Sequence, residues 1–566
     1  MFDFQEQEDL DLINNRKLLL NELELEFGEN LTLGTTENIS IVVSPSSYLE
    51  KILQLKNSFG FNFFLNLWIS DNIADGENFE LMVQLLNMDT HQRAIITCPV
   101  TELEPVPSLS DIYHGAFWCE QESWDMYGVS FDSIPKERIL SPEGMEGHTL
   151  RKNFEPKPFR LKQSVDYSFS PDPRVSRSEW KRRSVHKLDM FGGEVNGPLR
   201  AIVEVYDEVI ERGRLEIGYL HRGVEKIFEN LSLNQIQPHL CRINTSSPTM
   251  FQQAWFGGIE KYLGVHIPDR AKALRMVFNE LDRIYEHLDT IGRIVDNLGC
   301  YPFLKETIEM QESILMVMKK YSGQRLNGSL ICLGGVKSDV PKGWLTECLN
   351  LLGFLEKKVL EVTKLISNST LWMKRLCRFE LNSKQAMDWG VSGPNLRASG
   401  VNYDMRKVSP HYFYNDIEFE VPLGINGQCY DRYLVRVEEI LQSLSIISQL
   451  LDNLPLGDTK TKDNRVLIPR KQDVYSETNA LIQHYRFYDG GVILPEGEFY
   501  NSIESSNGEL GFYVHSRGES TLNRVKLRTP GFYSGQCFTD ICEGGSIEEL
   551  PLVINSLNLV VGEIDR

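Results

Sequence analysis

The feature that most constrains the fold is a break in pattern over residues 156–185. This stretch holds four prolines, at positions 156, 158, 171 and 173, together with several serines and a run of Lys and Arg. Proline removes a backbone donor and disfavours helix in the residue before it, which predicts an extended linker. The basic residues of this linker are either solvated or in contact with an acidic neighbour. The chain therefore divides into a domain over 1–155 and a larger domain over 186–566.

The first domain alternates between helical and strand-like segments. A Leu-rich segment, RKLLLNELELEF at 16–27, has helical character. Four strand-like segments follow it: ISIVVS, FNFFLNLWIS, FELMVQLLN and RAIITCPV. Since both periods occur within one domain, the sequence predicts an α+β fold here.

The second domain is predicted to be mainly α-helical. From Pro268 onward, apolar residues recur with helical spacing for about 28 residues, and Gly299 ends the pattern. Similar patterns cover 303–322 and 433–451. Long helices with one apolar side are typical of a helical bundle core. Small strands are expected near 511–528, which has the pattern of a hairpin.

Composition excludes several classes of protein. The 566 residues include 59 Lys and Arg against 79 Asp and Glu, a net charge of −20, which disfavours nucleic-acid binding. The ten cysteines are scattered without any CxxC pair, which argues against a disulfide framework or a metal site built by this chain and favours a reducing compartment. No apolar run approaches 18 residues, and the N-terminus has no signal-peptide pattern.

The usual motifs of a self-contained enzyme are missing. The sequence contains no GxGxxG, GxxxxGK[ST], HExxH or GxSxG. A hydrolase, kinase or nicotinamide-binding dehydrogenase working alone therefore finds no support.

Two segments carry a resemblance to a known family. Residues 118–154 contain WDMYG, the RIL turn and EGH-x-LRK-x-F, and this segment resembles the C-type subunit of complex I, the proton-pumping NADH:quinone oxidoreductase. Most of the chain after the linker resembles the D-type subunit. Its matching pieces are IGYLHRGVEK, PDRAKALRMVFNELDRI, GGVKSDVPKGW, SGPNLRASGVNYDMRKVSPHYFYNDIEFEVPLG, GQCYDRYLVRVEEILQSL, RVKLRTPGFYS and SLNLVVGEIDR. The chain resembles a C/D fusion known in bacterial complex I.

The resemblance implies a fold and a role. The D-type subunit is similar to the large subunit of nickel–iron hydrogenases, and it forms the quinone headgroup chamber beside an iron–sulfur cluster held by a neighbouring subunit. The resemblance therefore implies quinone as substrate, no cofactor or metal bound by this chain alone, and other peripheral-arm and membrane-arm subunits as partners. It implies a peripheral membrane protein at the cytoplasmic face of the bacterial inner membrane. Electron transfer would be coupled to proton translocation.

The positions matched to the family's quinone residues differ from the family pattern. Counting without gaps, an HPSTHG-type loop falls on 192–197, where Gly192 and Asn196 replace both histidines, and the family's Tyr falls on Thr245. The family's Asp corresponds to Asp296, and an Arg before the GGV turn corresponds to Cys332. Neither Thr nor Asn supplies a proton near pH 7.

From this resemblance we predict that Asn196, Thr245 and Asp296 line the quinone chamber. We predict that Arg222 and Arg242 face the cluster. The hydrogenase metal is not expected, because its thiolate positions hold only Cys241 and the run 559–561.

Three explanations of the changed residues stay open. The chain is a divergent complex I subunit whose quinone takes protons from water or other residues, such as His239 or His186, although each of these is more often structural. Alternatively, it belongs to a related ion-translocating assembly with another acceptor. In the third explanation, the chain is a scaffold that has lost its role in electron transfer.

Overall fold

The computed structural model describes residues 2–28, 31–33, 38–71, 79–158, 183–191 and 195–566. The chain forms two compact units, Met1–Val165 with Met387–Gly390, and Asp166–Ala386 with Val391–Arg566. Most of the predicted linker lies outside the described residues, as does Gly192. The predicted boundaries at 155/156 and 185/186 therefore stay predictions.

The first unit is built on a mixed five-stranded sheet with the strand order β1-β2-β5-β4-β3. β2 and β5 pair in parallel, and the other neighbouring strands pair antiparallel. β3 is buried along its whole length, which agrees with its mostly apolar and aromatic sequence. The elements are α1 (Phe2–Phe27), β1 (Leu31–Leu33), β2 (Ile39–Val42), α2 (Tyr48–Phe59), β3 (Phe63–Asp71), β4 (Phe79–Leu86), β5 (Arg93–Val100) and α3 (Ala116–Tyr127).

Asp125 explains why WDMYG and the RIL turn occur together. Its buried carboxylate accepts a hydrogen bond from Arg138 Nη1 at 2.8 Å. Its other oxygen accepts three backbone N–H groups, those of residues 139, 140 and 141, at 2.9–3.0 Å. A carboxylate with four donors satisfies a turn that would otherwise leave backbone groups unpaired.

Replacing Asp125 with asparagine is expected to destabilise the first unit by about 2–3 kcal/mol, because an amide directs a donor towards donors and removes the negative charge that pairs with Arg138. Thermal unfolding of the purified chain measures this as a lower melting temperature. Asp132→Asn serves as the control, since that side chain is exposed. Equal melting temperatures for the two variants would contradict the role assigned to Asp125.

The second unit is mainly helical, and its described residues also form three antiparallel sheets. The strands are β6 (Ser184–Met190), β7 (Leu199–Tyr206), β8 (Val209–Glu216), β9 (Ile331–Cys332), β10 (Gly335–Val336), β11 (Glu496–Ser505), β12 (Gly508–Arg517) and β13 (Arg524–Arg528). They pair in the orders β6-β7-β8, β10-β9 and β11-β12-β13. An α+β unit followed by a mainly helical unit confirms the predicted fold class.

The helices of the second unit vary from one turn to eight turns. They are α4 (Val224–Asn230), α5 (Leu233–Leu240), α6 (Pro248–Leu263), α7 (Asp269–Asn297), α8 (Tyr301–Ser322), α9 (Trp344–Ser367), α10 (Thr370–Leu376), α11 (Ser383–Asp388), α12 (Pro394–Ala398), α13 (Met405–Val408), α14 (Cys429–Asp452), α15 (Lys471–Ser476), α16 (Thr478–Asp489), α17 (Pro530–Gln536), α18 (Phe538–Ile541), α19 (Leu550–Leu557) and α20 (Val561–Ile564). The end of α11 belongs to the first unit.

Helix α7 forms the centre of the second unit. Its apolar residues have the predicted spacing, and the chain leaves the helix through Gly299, whose φ of 77° suits glycine. Unlike an ordinary surface helix, α7 also buries Arg275, Glu280 and Arg283. Buried charges of this kind require partners, which come from the surrounding helices and, for Arg283, from Glu280 on α7 itself and from the backbone of β11. Among the described residues, no helix has both the length and the apolar character needed to cross a membrane.

Candidate functional site

The last residues of the chain hold the loop that carries Arg222. The Asp565 carboxylate accepts hydrogen bonds from the backbone N–H groups of Gly218 and Leu220, at 2.8 and 2.7 Å. The backbone oxygen of Asp565 lies 3.0 Å from His221 Nδ1. Arg222 itself is exposed, and partial burial lowers its pKa while Asp565 opposes this shift. The loop is thus fixed while the guanidinium faces outward.

The same C-terminal segment contacts Asn196. Residues Asn196 and Val560 form a parallel bridge, and Val561 N donates to the Asn196 oxygen at 3.0 Å. The loop at 195–197 and the loop at 218–222 therefore lie along one short stretch of chain.

Asn244 connects this stretch to helix α7. Its side-chain nitrogen donates to Glu563 Oε1 at 2.8 Å and to Glu286 Oε1 at 2.9 Å, and all three side chains are buried. One amide group carries two hydrogens, so it can bridge two carboxylates. Thr245, the next residue, is held in place by this bridge.

Glu286 gathers further donors from the β11–β12 turn and the C-terminal region. Its oxygens accept hydrogen bonds from Asn507 at 2.7 Å, from Asn558 at 3.3 Å and from Ser506. Burial, followed by the charge of Glu286, raises the pKa of Glu563 to about 8. Burial disfavours the charged form of a carboxyl group, and the nearby negative charge adds to this effect, so the protonated form of Glu563 is favoured.

Thr245 lies on the wall of a small open cleft with a volume of about 30 Å³. The walls combine apolar side chains of α8 with polar groups of α7 and the loop at 324–330. The lining residues are Thr245, Ser246, Pro248, Asp282, Tyr285, Ile314, Leu315, Met318, Ser322, Gln324, Arg325, Leu326, Asn327, Gly328 and Leu330. The exposed part of these walls is mostly apolar, with a few polar groups among them.

The predicted site residues do not all share this cleft. Asp296 lies on α7 eleven residues beyond Tyr285, which corresponds to about 16 Å along a helix. Arg242 is exposed and donates to the Pro238 oxygen at 2.5 Å. Their assignments, with those of Asn196, Thr245 and Arg222, stay predictions.

Neither of the alternative histidines lines the cleft. His186 lies on strand β6, where its ring contacts Ser184 Oγ at 2.8 Å. His239 packs edge-on against Phe228 with ring centroids 6.4 Å apart. Both contacts have the character of structural packing.

Sequence reasoning missed the buried acids Asp282, Glu286 and Glu563. Asp282 and Glu286 lie on a helix whose apolar spacing predicts one buried side, with its acids on the solvated side. Glu563 lies in the SLNLVVGEIDR segment, which resembles the D-type subunit. The sequence did carry a signal, which is the density of charged residues in the middle of α7. On a helix with one solvated face, the charged residues would be confined to that face, away from the apolar stripe.

Comparisons with known proteins agree with the two-part organisation. The family of the respiratory-chain NADH dehydrogenase 30 Kd subunit matches residues 41–160, and that of the 49 Kd subunit matches residues 298–566. The C/D subunit of the NADH-quinone oxidoreductase of Bdellovibrio bacteriovorus is 34% identical over 91% of this chain and 93% of its own. The C/D subunit of the Nitrosospira multiformis enzyme is 32% identical over 86% of this chain and 83% of its own. The D-type subunit of the Ehrlichia canis enzyme is 39% identical over 66% of this chain and 95% of its own.

These matches define a polypeptide that unites two subunit types of a respiratory NADH dehydrogenase. The chain belongs to the family of fused C/D subunits of NADH-quinone oxidoreductase. The resemblance drawn from the sequence is thereby confirmed. The chain is a subunit of an oxidoreductase complex.

Proposed function

We propose that the cleft at Thr245 receives the headgroup of a quinone, which is reduced there by electrons from an iron–sulfur cluster of a neighbouring subunit. The observation that carries this proposal is that Thr245, the position matched to the family's quinone tyrosine, lines an open and largely apolar cleft. The Asn244 bridge fixes the backbone of this wall. The quinone is a substrate, and this chain alone contributes no cofactor.

The partners in this proposal are the other peripheral-arm subunits, including the iron–sulfur subunits, and the membrane-arm subunits. The chain would work as a peripheral protein at the cytoplasmic face of the bacterial inner membrane, and quinone reduction would be coupled to proton translocation. Support comes from the names of the relatives, which are subunits of NADH-quinone oxidoreductases.

Arg222 and Arg242 are proposed to face the cluster of the neighbouring subunit. Both guanidinium groups are exposed in this chain. A positive charge that becomes buried beside a cluster favours its reduced form. We also propose that Asn196 and Asp296 line the quinone chamber outside the cleft at Thr245.

A second candidate is a scaffold without quinone chemistry, or an assembly with another acceptor. The changed residues favour it, since Thr245 and Asn196 cannot release a proton near pH 7. The same cleft would then be empty of quinone in the working complex.

Replacing Thr245 with tryptophan in the assembled membrane complex is expected to reduce NADH:quinone reductase activity at least tenfold, because the indole fills the cleft. NADH oxidation with ferricyanide, which takes electrons before the quinone site, should be unchanged. Thr245→Val is the matched control: it keeps the volume and removes one neutral hydrogen bond, worth about 1 kcal/mol, or roughly fivefold.

Equal quinone reductase activity in the wild type, Thr245→Trp and Thr245→Val would contradict the proposal. Loss of both activities in the tryptophan variant would indicate a failure of assembly. In that case, the binding of a quinone-site inhibitor to the wild-type complex distinguishes a quinone site from a scaffold without quinone chemistry. Absence of any such binding favours the scaffold.

A further inference from the structure

We propose that Asp282 is the residue that gives a proton to the quinone oxygen in the cleft at Thr245, an inference that rests on the proposed function of that cleft. It replaces the tyrosine and histidine that the family pattern leads one to expect. Asp282 becomes a catalytic residue of the quinone site.

The first support is that Asp282 is placed where it can reach a ligand in the cleft at Thr245. Asp282 lies in the middle of α7 and lines the same cleft as Thr245, although only 5% of its surface is exposed. A carboxyl group that is nearly buried but still borders the cleft can reach a bound ligand while being shielded from bulk water. Glu286 and Glu563 are not among the residues that line the cleft, so they do not compete for direct contact.

The second support is the way in which the carboxyl group is held. The backbone N–H and the hydroxyl of Thr249 both donate to Asp282 Oδ2, at 2.8 and 2.6 Å. Oδ1 accepts no hydrogen bond from the part of the chain that the structure describes. One oxygen is thus anchored to α6, and the other is left to carry a proton towards a ligand.

Burial and the charge of Glu286, one turn away on α7, favour the protonated form of Asp282. Tyr285 lies nearly one turn along the same helix, and Arg325, which is paired with Glu312 of α8, lines the cleft from its loop. From α6, Thr249 donates two hydrogen bonds to the carboxylate. Burial raises the pKa of Asp282 to about 7, Thr249 opposes the rise, and Glu286 adds to it. Such an acid exchanges protons near neutral pH, as proton transfer requires.

The other acid on the cleft wall is unsuitable. Burial, with Asp289 next in importance, raises the pKa of Tyr285 to about 12. A phenol that holds its proton so firmly is a poor donor at neutral pH. Asp282 is therefore the acid of this wall that matches the reaction.

Reduction of the quinone to hydroquinone consumes two electrons and two protons. The quinone takes the electrons, one at a time, from the reduced iron–sulfur cluster of the neighbouring subunit, which NADH reduces through the complex. The O–H bond of Asp282 breaks and a new O–H bond forms on one quinone oxygen. The other quinone oxygen takes a solvent proton carried by water in the cleft, and a second solvent proton reprotonates the Asp282 carboxylate, so that two protons are taken up from solvent for each hydroquinone formed.

The test uses the assembled complex in membranes and compares NADH:quinone reductase activity from pH 5.5 to 9. Because the protonated acid is the active form, wild-type turnover should fall as the pH rises through the pKa of Asp282. Asp282→Asn is expected to lose about 100-fold in turnover and to abolish this alkaline limb. Asp289→Asn, on the same helix but partly exposed and paired with Arg293, is the matched control.

Thr249 gives a second and milder variant. Thr249→Val removes a hydrogen bond that lowers the pKa of Asp282, so the alkaline limb should move to higher pH. Thr249→Ser keeps the hydroxyl and should restore the wild-type position of the limb. A purely structural role of Thr249 would change the amount of complex without moving the limb.

Inhibitor binding at the quinone site is measured on the same membranes. If the inhibitor binds and Asp282→Asn keeps wild-type turnover and pH profile, the role of Asp282 is overturned while the quinone site stands. If an azidoquinone binds the wild-type complex but labels residues elsewhere than in the cleft, the proposed function itself fails. An unmoved limb in Thr249→Val also overturns the role of Asp282.

Discussion

Replacing Arg397 with methionine is expected to lower the free energy of unfolding of the second unit by about 3–5 kcal/mol, because removal of one partner from a buried ion network leaves charges without compensation. Arg397 is fully buried on α12. Its Nε donates to Glu439 at 2.9 Å, and its Nη1 donates to Glu504 at 2.8 Å. Asp404 lies 3.6 Å from the same Nη1.

The loss of stability caused by Arg397→Met should be larger at neutral pH than at acidic pH. Burial by itself would raise the pKa of Glu439, but Arg397 and the hydrogen bond from His287 hold it well below its ordinary range. A lowered carboxyl pKa stabilises the fold above the unfolded value of about 4.3, and this stabilisation is lost as the pH falls through the folded value. The difference between the wild type and Arg397→Met should therefore be largest near pH 7 and shrink below about pH 4.

Thermal unfolding of the purified chain at pH 7 measures the change, and a fall of roughly 5–10 °C is expected. Arg465→Met removes an arginine from an exposed pair with Asp463 and is the matched control. Exposed pairs contribute little, so its melting temperature should stay close to that of the wild type. An equal loss in both variants would show that burial of the network is unimportant.

The long helices could be predicted from the sequence because their apolar spacing is strong. The pattern ending at Gly299 corresponds to α7, and the pattern at 433–451 corresponds to α14, which begins earlier, at Cys429. The difference arises at Gln428, whose side chain forms a capping box with Asp431. Such a cap starts a helix before the apolar spacing becomes visible.

The four strand-like segments of the first domain correspond to β2, β3, β4 and β5, whereas strands of the second unit outside the hairpin region were harder to predict. In β6 the residues are mostly exposed or half-exposed, so that charged and apolar residues follow one another without a clear core face. Its pairing with β7 is a long-range property of the fold. Alternation in sequence indicates a strand only where one face is buried.

The candidate site could be predicted only as far as the positions matched to the family. Counting along the motifs led to Thr245, and the structure places that residue on the cleft wall. The counting could not lead to Asp282, which lies on α7, whereas Thr245 lies in the loop before α6. Nor could it show that Asn244 bridges Glu286 and Glu563, since this contact joins residues 42 and 319 positions apart.

Replacing Gly393 with alanine is expected to destabilise the second unit by about 4 kcal/mol. The backbone at Gly393 has φ 69° and ψ −148°, a region that residues with a side chain rarely occupy, at a cost of about 1–3 kcal/mol. An added Cβ would lie 2.4 Å from the Gly508 Cα and 2.6 Å from the Asn507 oxygen. Both neighbours are backbone atoms, so relieving the overlap requires the chain to move, at a further cost of about 1–3 kcal/mol.

The movement would reach the buried carboxylates, because Asn507 donates to Glu286. Gly353→Ala is the matched control: Gly353 lies within helix α9, and an added Cβ there meets nothing within 4 Å. Alanine favours helix over glycine by about 1 kcal/mol, so the control should raise the melting temperature of the purified chain while Gly393→Ala lowers it. A Gly393→Ala chain as stable as the wild type would mean that the β11–β12 turn yields to the added methyl group, and the close packing around Glu286 would lose its structural basis.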